Sequence, residues 1–185
     1  MENKRLSNID FSEKPLTEEE YDNCTFTNCH FAEADLSHRT FVECRFEQCD
    51  LSNAKITDTS MRDVHFEQCK LLGLQFSDCK EFLFSVQFAN CQLQLASFFK
   101  LKMVGTEFNT CELQETDFSE ANLSSASFDQ CNLTKAIFDR TNLEKADFRT
   151  AVGFSINPVE NKVRKAKFSQ ANVIGLLGDL GVVVE

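Results

Sequence analysis

The chain of 185 residues is long enough for one domain or for one array of structural repeats. It has no apolar run long enough to span a membrane, and its N-terminal residues lack the apolar segment of a secretory signal, so we expect a cytoplasmic protein. Its 29 acidic and 19 basic residues give a net charge of −10, which argues against direct binding of nucleic acid.

Nine cysteines, three histidines and many carboxylates could in principle serve a metal centre or a catalytic site. The cysteine count is odd, no two cysteines are spaced as CxxC, and the histidines lack partner spacing for a metal. None of the common phosphate-binding, hydrolase or metalloprotease motifs is present. We therefore predict no enzyme, no catalytic residue, no metal and no cofactor, with every cysteine reduced and buried as a small apolar residue.

Residues 1–25 are predicted to form an N-terminal cap and a first turn. Positions that hold small residues in later repeats are here occupied by residues such as Lys14 and Glu19. An acidic patch follows at residues 18–22, where four of the five side chains are carboxylates. Both features are typical of the polar end that a repeat array needs.

A large apolar residue recurs at every fifth position from Leu6 to Phe76, and again from Phe88 to Phe148 after the frame slips by two residues. Two residues before each of them stands a second periodic position, most often Cys, Ala or Thr. A period of five fits neither an α-helix nor a β-strand. Each unit of five therefore turns one large and one small residue inward and leaves three positions in solvent.

The five-residue units combine into a longer period of twenty, counted across the slip. One column of Phe residues reads Phe26, Phe46, Phe66, Phe88, Phe108, Phe128, Phe148 and Phe168. A column of small residues reads Cys29, Cys49, Cys69, Cys91, Cys111 and Cys131. Four units must then complete one turn of a coil in which like residues stack, with about 4.8 Å between turns. Two positions after each Phe stands a residue that is polar, such as Asn28 or Gln48. These residues form a polar ladder in which stacked amides should hydrogen-bond.

Units such as ANLSS at residues 121–125 and ADFRT at residues 146–150 resemble the A(D/N)LXX pattern of the pentapeptide-repeat family. The resemblance implies an all-β fold, a right-handed quadrilateral β-helix that occupies residues 26–170, with a short helix at the C-terminus. A solid rod of this kind lacks the concave polar site that catalysis needs.

The two-residue slip lies within residues 77–87, and several outward-facing positions around it are apolar. Exposed apolar residues flanked by lysines are candidates for binding a protein partner. The predicted partner surface consists of Leu72, Phe82, Phe84, Leu95, Phe99 and Val104. Alternatively, the inserted residues fold back and cover the other apolar side chains.

The inward pattern lapses a second time at residues 151–165, although Phe148 and Phe168 remain twenty residues apart. We interpret this segment as one turn of the coil whose sides open into a loop at Pro158. The pattern returns at Ala166.

Residues 171–185 are too apolar for a solvated end. We predict a helix near residues 171–180 and a strand-like ending, and the candidate dimer interface is Val173, Ile174, Leu176, Leu177, Leu180, Val182, Val183 and Val184. This ending resembles the C-terminal dimerisation module of the quinolone-resistance (Qnr-type) members of the family, which implies a homodimer joined end to end. The alternative is a cap on the coil.

Two functions remain open. The resemblance to Qnr-type proteins implies a DNA mimic that binds a type II topoisomerase, DNA gyrase or topoisomerase IV, and protects it from quinolones. The alternative is an interaction scaffold that binds an unrelated protein through the surface around the insertion. A continuous negative surface would favour mimicry, and a mixed surface would favour the scaffold.

Overall fold

The computed structural model describes residues 1–180, apart from the side chain of Asp179. The chain winds into a parallel β-helix whose successive turns pair residue for residue, as Leu6 pairs with Phe26 and Phe46 with Phe66. The predicted all-β coil is confirmed, and residues 1–170 contain no α-helix.

Each turn has four sides, which we name by the residue at the centre of each side in the second turn. Sides A, B, C and D are centred on Phe26, Phe31, Leu36 and Tyr21, and each side also includes the residues stacked on its centre in other turns. A corner residue follows two positions after each centre.

Within residues 1–180, regular strands occur on sides A and D alone, and the other sides are held by single bridges between turns. Side A is a seven-stranded parallel sheet with the strand order β1-β3-β5-β7-β8-β9-β10. Its strands are β1 (Arg5–Ser7), β3 (Thr25–Thr27), β5 (Arg45–Glu47), β7 (Val64–Glu67), β8 (Val86–Ala89), β9 (Glu107–Asn109) and β10 (Ser127–Asp129). Side D is a three-stranded sheet formed by β2 (Glu20–Asp22), β4 (Thr40–Val42) and β6 (Ser60–Arg62).

Stacked aromatic rings fill the interior. On side A the rings of Phe108 and Phe128 lie 5.0 Å apart and 3° from parallel, and on side C those of Phe98 and Phe118 lie 5.3 Å apart and 5° from parallel. The two columns meet edge to face, as Phe108 meets Phe118 at 5.8 Å. Burial of each such side chain contributes about 1.5–3 kcal/mol, so the aromatic columns are the main source of stability.

The corners require a left-handed backbone conformation, and the chain adopts it at nearly every corner from Asn3 to Lys165. Asn, Asp and Gly tolerate this region best. Many corners carry Asn or Asp, and Gly occupies the corners at 73, 105 and 153. On side A the amide of Asn28 donates to Asn8 at 2.7 Å and that of Gln48 donates to Gln68 at 3.0 Å, as predicted for the polar ladder.

The inserted residues lie within 81–84. Before this segment the amide of Lys80 donates to the carbonyl of Thr59 at 2.9 Å, close to the ordinary spacing of twenty residues. After it Phe66 pairs with Phe88, so the spacing has become twenty-two. A 3-10 helix at Phe76–Asp78 precedes the insertion.

The segment at 151–165 stays packed on the turn before it and is less open than the predicted loop. Phe154 and Ile156 point inward and are buried. The side-chain amide of Asn161 is also buried and donates to the carbonyl of Phe138 at 2.9 Å. Phe154 lies outside the five-residue pattern, whereas Ile156 and Asn161 fill its small inward positions with larger side chains.

The predicted C-terminal helix consists of two 3-10 helices, Val173–Leu176 and Gly178–Leu180, and is not an α-helix. The first of them covers the end of the coil. A side chain at Gly175 would meet the ring of Phe154 at 2.5 Å, so glycine permits this close approach. Val182, Val183 and Val184 lie outside the described residues.

Candidate partner-binding surfaces

The nine cysteines are free thiols and all are buried. Most donate to a backbone carbonyl of the preceding turn, as Cys131 donates to Phe108 at 3.3 Å. Burial raises the pKa of the Cys44 thiol to about 11. Among the described side chains, no three His, Cys, Asp or Glu groups are placed so that they could hold a metal ion.

The insertion projects two apolar side chains into solvent and buries a third. Phe82 is 71% exposed and Leu83 is 59% exposed, whereas Phe84 is only 8% exposed. The prediction that Phe84 belongs to the partner surface is therefore wrong, because its ring turns inward and contacts Phe76 edge to face at 6.3 Å. Leu83 was not among the predicted surface residues, although its position between two aromatic residues of the insertion is a signal for it.

The remaining predicted surface residues do not form one patch. Val104 lines the same groove as Phe82 on side D, and it is 52% exposed. Leu95 occupies the corner after side B, Phe99 lies on side C, and Leu72 is half-buried on side B. The six predicted residues are thus spread around the rod because neighbouring units of the chain face in different directions. A smaller patch of Phe82, Leu83 and Val104 remains, which we call the loop patch.

Ion pairs neutralise some of the charges on sides A, B and C. On side B the amine of Lys135 lies 3.7 Å from the carboxylate of Glu115. On side C Arg140 contacts Glu120 at 3.1 Å, and Lys100 approaches the same carboxylate at 3.7 Å. All ion pairs between described residues lie on these three sides, at Asp50–Lys70, Glu115–Lys135, His38–Asp58, Glu120–Lys100, Glu120–Arg140, Asp139–Arg140, Asp147–Arg149 and Asp147–Lys167.

Side D has a different charge pattern. Its first turns carry mostly carboxylates, with the guanidinium of Arg62 among them, and its last turns carry mostly amines and a guanidinium, with the carboxylate of Glu144 among them. The acidic end consists of Glu20, Asp22, Glu43 and Asp63. The basic end consists of Lys145, Lys162, Arg164 and Lys165. None of these eight side chains forms an ion pair with another described residue.

The net charge of the whole rod also changes from negative to positive towards the C-terminus. Residues 1–144 hold 25 acidic and 13 basic residues, a net charge of −12, whereas residues 145–167 hold two acidic and six basic residues, a net charge of +4. The surface is therefore an acidic body with a basic collar near the C-terminus.

The C-terminal segment covers the coil with one face and leaves the other face in solvent. Asn172 anchors it by donating to the carbonyls of Phe148 at 2.7 Å and Ala151 at 2.9 Å. Ile174 is 52% exposed and Leu180 is 45% exposed. Val173 is also exposed, whereas Leu176 and Leu177 are half-buried, so the segment acts as a cap that retains an apolar outer surface.

Comparison with known proteins agrees with the repeat and the fold. Residues 19–98 match the family described as "Pentapeptide repeat region", and residues 111–149 match "Pentapeptide repeats (8 copies)". The chain belongs to the pentapeptide-repeat family. No curated protein matches the sequence of this pentapeptide-repeat protein.

Solved structures similar to this pentapeptide-repeat protein include QnrB1. A trypsin-treated form of QnrB1, described as a plasmid-mediated fluoroquinolone resistance protein, is 23% identical with a TM-score of 0.50, and the match covers 100% of this chain and 99% of that one. HetL, from the cyanobacterium Nostoc, is 16% identical with a TM-score of 0.31 over 91% of this chain and 86% of its own. The likeness to QnrB1 shows a shared fold. Within residues 1–180 no helix is both long and apolar enough to cross a membrane.

Proposed function

We propose that this pentapeptide-repeat protein is a non-enzymatic DNA mimic that binds a type II topoisomerase, DNA gyrase or topoisomerase IV, and protects it from quinolones. The observation that carries the proposal is the acidic body, where a net charge of −12 lies on a stack of evenly spaced turns. A surface that binds the phosphates of duplex DNA is rich in Lys and Arg, and an acidic rod is complementary to it.

The part of the body with the most negative net charge is its N-terminal half. Residues 1–67 hold 15 acidic and seven basic residues, a net charge of −8. Glu33 occupies a corner after side B, Glu13 stands twenty residues before it, and neither forms an ion pair with a described residue. We therefore assign the N-terminal half as the part that competes with DNA.

A supercoiling assay with purified gyrase and ciprofloxacin tests this function. The chain should restore supercoiling in the presence of the quinolone, and the variant Glu13→Gln/Glu33→Gln should protect less well. The variant Glu144→Gln/Glu160→Gln changes the net charge by the same amount near the basic collar, and it should protect like the native chain. No recovery of supercoiling with any of these proteins would contradict the proposal.

A second function, an interaction scaffold, is favoured by the loop patch. Phe82 and Leu83 are more exposed than any other pair of adjacent large apolar residues in the described chain. Exposed aromatic and aliphatic side chains of this kind are typical anchors of a protein interface. The scaffold proposal would be supported if the chain failed to bind topoisomerase and the loop patch were still needed for partner binding in cells.

We also propose that the rod forms an end-to-end homodimer. The support is the apolar outer surface of the C-terminal cap at Val173, Ile174 and Leu180, since isologous pairing would remove this surface from water. The cytoplasm is the compartment that fits both functions, because nine free thiols persist most readily in a reducing environment.

A further inference from the structure

We propose that side D is a self-complementary interface through which two copies of this chain pair side by side and antiparallel. The interface would be separate from the C-terminal cap. It rests on three features of side D: an acidic end, an apolar centre at the loop patch, and a basic end.

The first step is that the eight charged side chains of the two ends of side D form no ion pairs within the described chain. On sides B and C, several successive turns place a base beside an acid, such as Lys135 beside Glu115 at 3.7 Å. On side D, successive corners repeat the same sign: the acid Glu43 is followed by Asp63, and the base Lys145 by Lys165. The amide of Lys145 donates to the carbonyl of Arg164 at 3.0 Å, which places the two basic turns in direct contact. Stacked like charges repel, and a partner of opposite sign would relieve the repulsion.

The second step is the register between two copies. A two-fold axis parallel to the strands reverses the rod direction but leaves each column of side D facing the same column of the partner. The axis would pass between the turns of Phe84 and Met103. The second turn, with Tyr21 on side D, then faces the turn of Val163, and the turn of Phe41 faces that of Leu143.

Opposite charges meet in each of the three outward columns under this operation. Glu20 and Lys162 both stand one residue before their centres, and Asp22 and Arg164 both stand one residue after. At the corners Glu43 faces Lys145. Each of these contacts occurs twice in the dimer because the interface is isologous. Complementary charges in this arrangement fix the register and orientation of a pair.

The third step is the centre of the interface. The loop patch lies beside the proposed axis, so the Phe82 and Leu83 side chains of one copy would meet those of the other copy and Val104. Interfaces commonly have an apolar centre with a charged periphery, and side D has this order along its length. A nucleic acid would match only the basic end, and a basic protein would match only the acidic end. A second copy matches both ends and the centre.

Two variants test the proposal: one reverses the charges of the basic end, and the other also reverses the facing charges of the acidic end. The molar mass of each is measured by light scattering in about 0.1 M salt. The reversal variant Lys162→Glu/Arg164→Asp should have half the mass of the native assembly. The four-residue swap, which adds Glu20→Lys and Asp22→Arg to the reversal variant, should restore the native mass, because each pair is re-formed with its signs exchanged. Circular dichroism and thermal unfolding verify that every variant is folded.

The result that would overturn the proposal is a native mass of 21.1 kDa, that of one chain. An unchanged mass in the reversal variant, or a swap that fails to restore the assembly, would also overturn it. The dependence of the mass on salt distinguishes this interface from an end-to-end dimer. About 1 M salt should weaken side-D pairing, because it reduces the screening length to about 3 Å. The same salt should leave an apolar contact between caps intact. An assembly that resists salt and dissociates only when the cap is substituted would assign the contact to the cap.

Discussion

Cys131 donates its thiol hydrogen to the backbone carbonyl of Phe108, 23 residues earlier, at a distance of 3.3 Å. Thr116 makes the same contact to Leu93 at 2.9 Å with a hydroxyl group. The small inward position therefore does more than fill space, because its side chain links two turns. This common geometry explains why Cys and Thr can replace each other at this position of the repeat.

The first prediction follows from this contact. Cys131→Thr should maintain or raise the free energy of unfolding, and Cys131→Ala should lower it by only about 1 kcal/mol, the value of one hydrogen bond. Cys131→Leu should cost about 1–3 kcal/mol because the site is tightly packed. Denaturant unfolding of the three variants measures these differences. A loss for Ala as large as that for Leu would show that the thiol has another role.

The second prediction concerns the aromatic column of side A. Phe108→Ala should lower the free energy of unfolding by about 3–5 kcal/mol, because the ring is fully buried between Phe88 and Phe128. Phe168→Ala is the matched control at the end of the column, where the ring is half-buried, and should cost less. Equal losses in thermal or denaturant unfolding would contradict the stacked core.

The third prediction separates the two aromatic residues of the insertion. Phe82→Ser should leave the free energy of unfolding almost unchanged, since the ring is 71% exposed. Phe84→Ser should destabilise the coil by several kcal/mol, on the order of a buried Phe truncation, because its ring packs on Phe76. Thermal unfolding of both variants tests the assignment, and the reverse order of stabilities would refute it.

The fourth prediction concerns the C-terminal cap. Ile174→Asp with Leu180→Asp should preserve the coil, because both side chains point to solvent in a single chain. In an end-to-end dimer the same carboxylates would be buried without partners, so the pair should dissociate in light-scattering measurements. An end-to-end dimer that keeps its mass with both substitutions would place the interface elsewhere.

The fifth prediction uses the pKa of Cys44. Its pKa is raised by burial from 9.0 to about 11, so between these values the thiol ionises in the unfolded chain but remains protonated in the folded one. The unfolded state then binds fewer protons, and stability should fall as pH rises through this window. The difference in unfolding midpoint between the native chain and Cys44→Ala, measured from pH 8 upwards, isolates this contribution from other titrating groups. A constant difference across the window would contradict it.

The core could be predicted from the sequence because its signal repeats. The Phe column and the Cys column each recur at a period of twenty, and a recurring residue reports the same environment in every turn. The insertion occurs once, so its three side chains had no repeated neighbour for comparison. Phe82 and Phe84 are chemically alike, and only the path of the backbone decides that one is exposed and the other buried.

The charge pattern of side D was also hidden in the linear sequence. Glu20 and Lys162 belong to the same column, yet 142 positions separate them, and a sum over consecutive residues mixes all four sides. The segment at 151–165 posed a related problem, because Phe154 fills an inward position outside the five-residue frame and Asn161 fills a small inward position with a polar amide. Such features depend on which side of the coil a residue occupies, and that follows only from the three-dimensional register.

The proposed function rests on the claim that the acidic body replaces DNA on a topoisomerase. Competition between this chain and a labelled DNA duplex for purified gyrase tests that claim most directly. The account predicts that the chain displaces the duplex, that displacement weakens as salt rises, and that Glu13→Gln/Glu33→Gln displaces less than the native chain. Simultaneous binding of the chain and the duplex, or no binding of the chain to gyrase, would contradict the account.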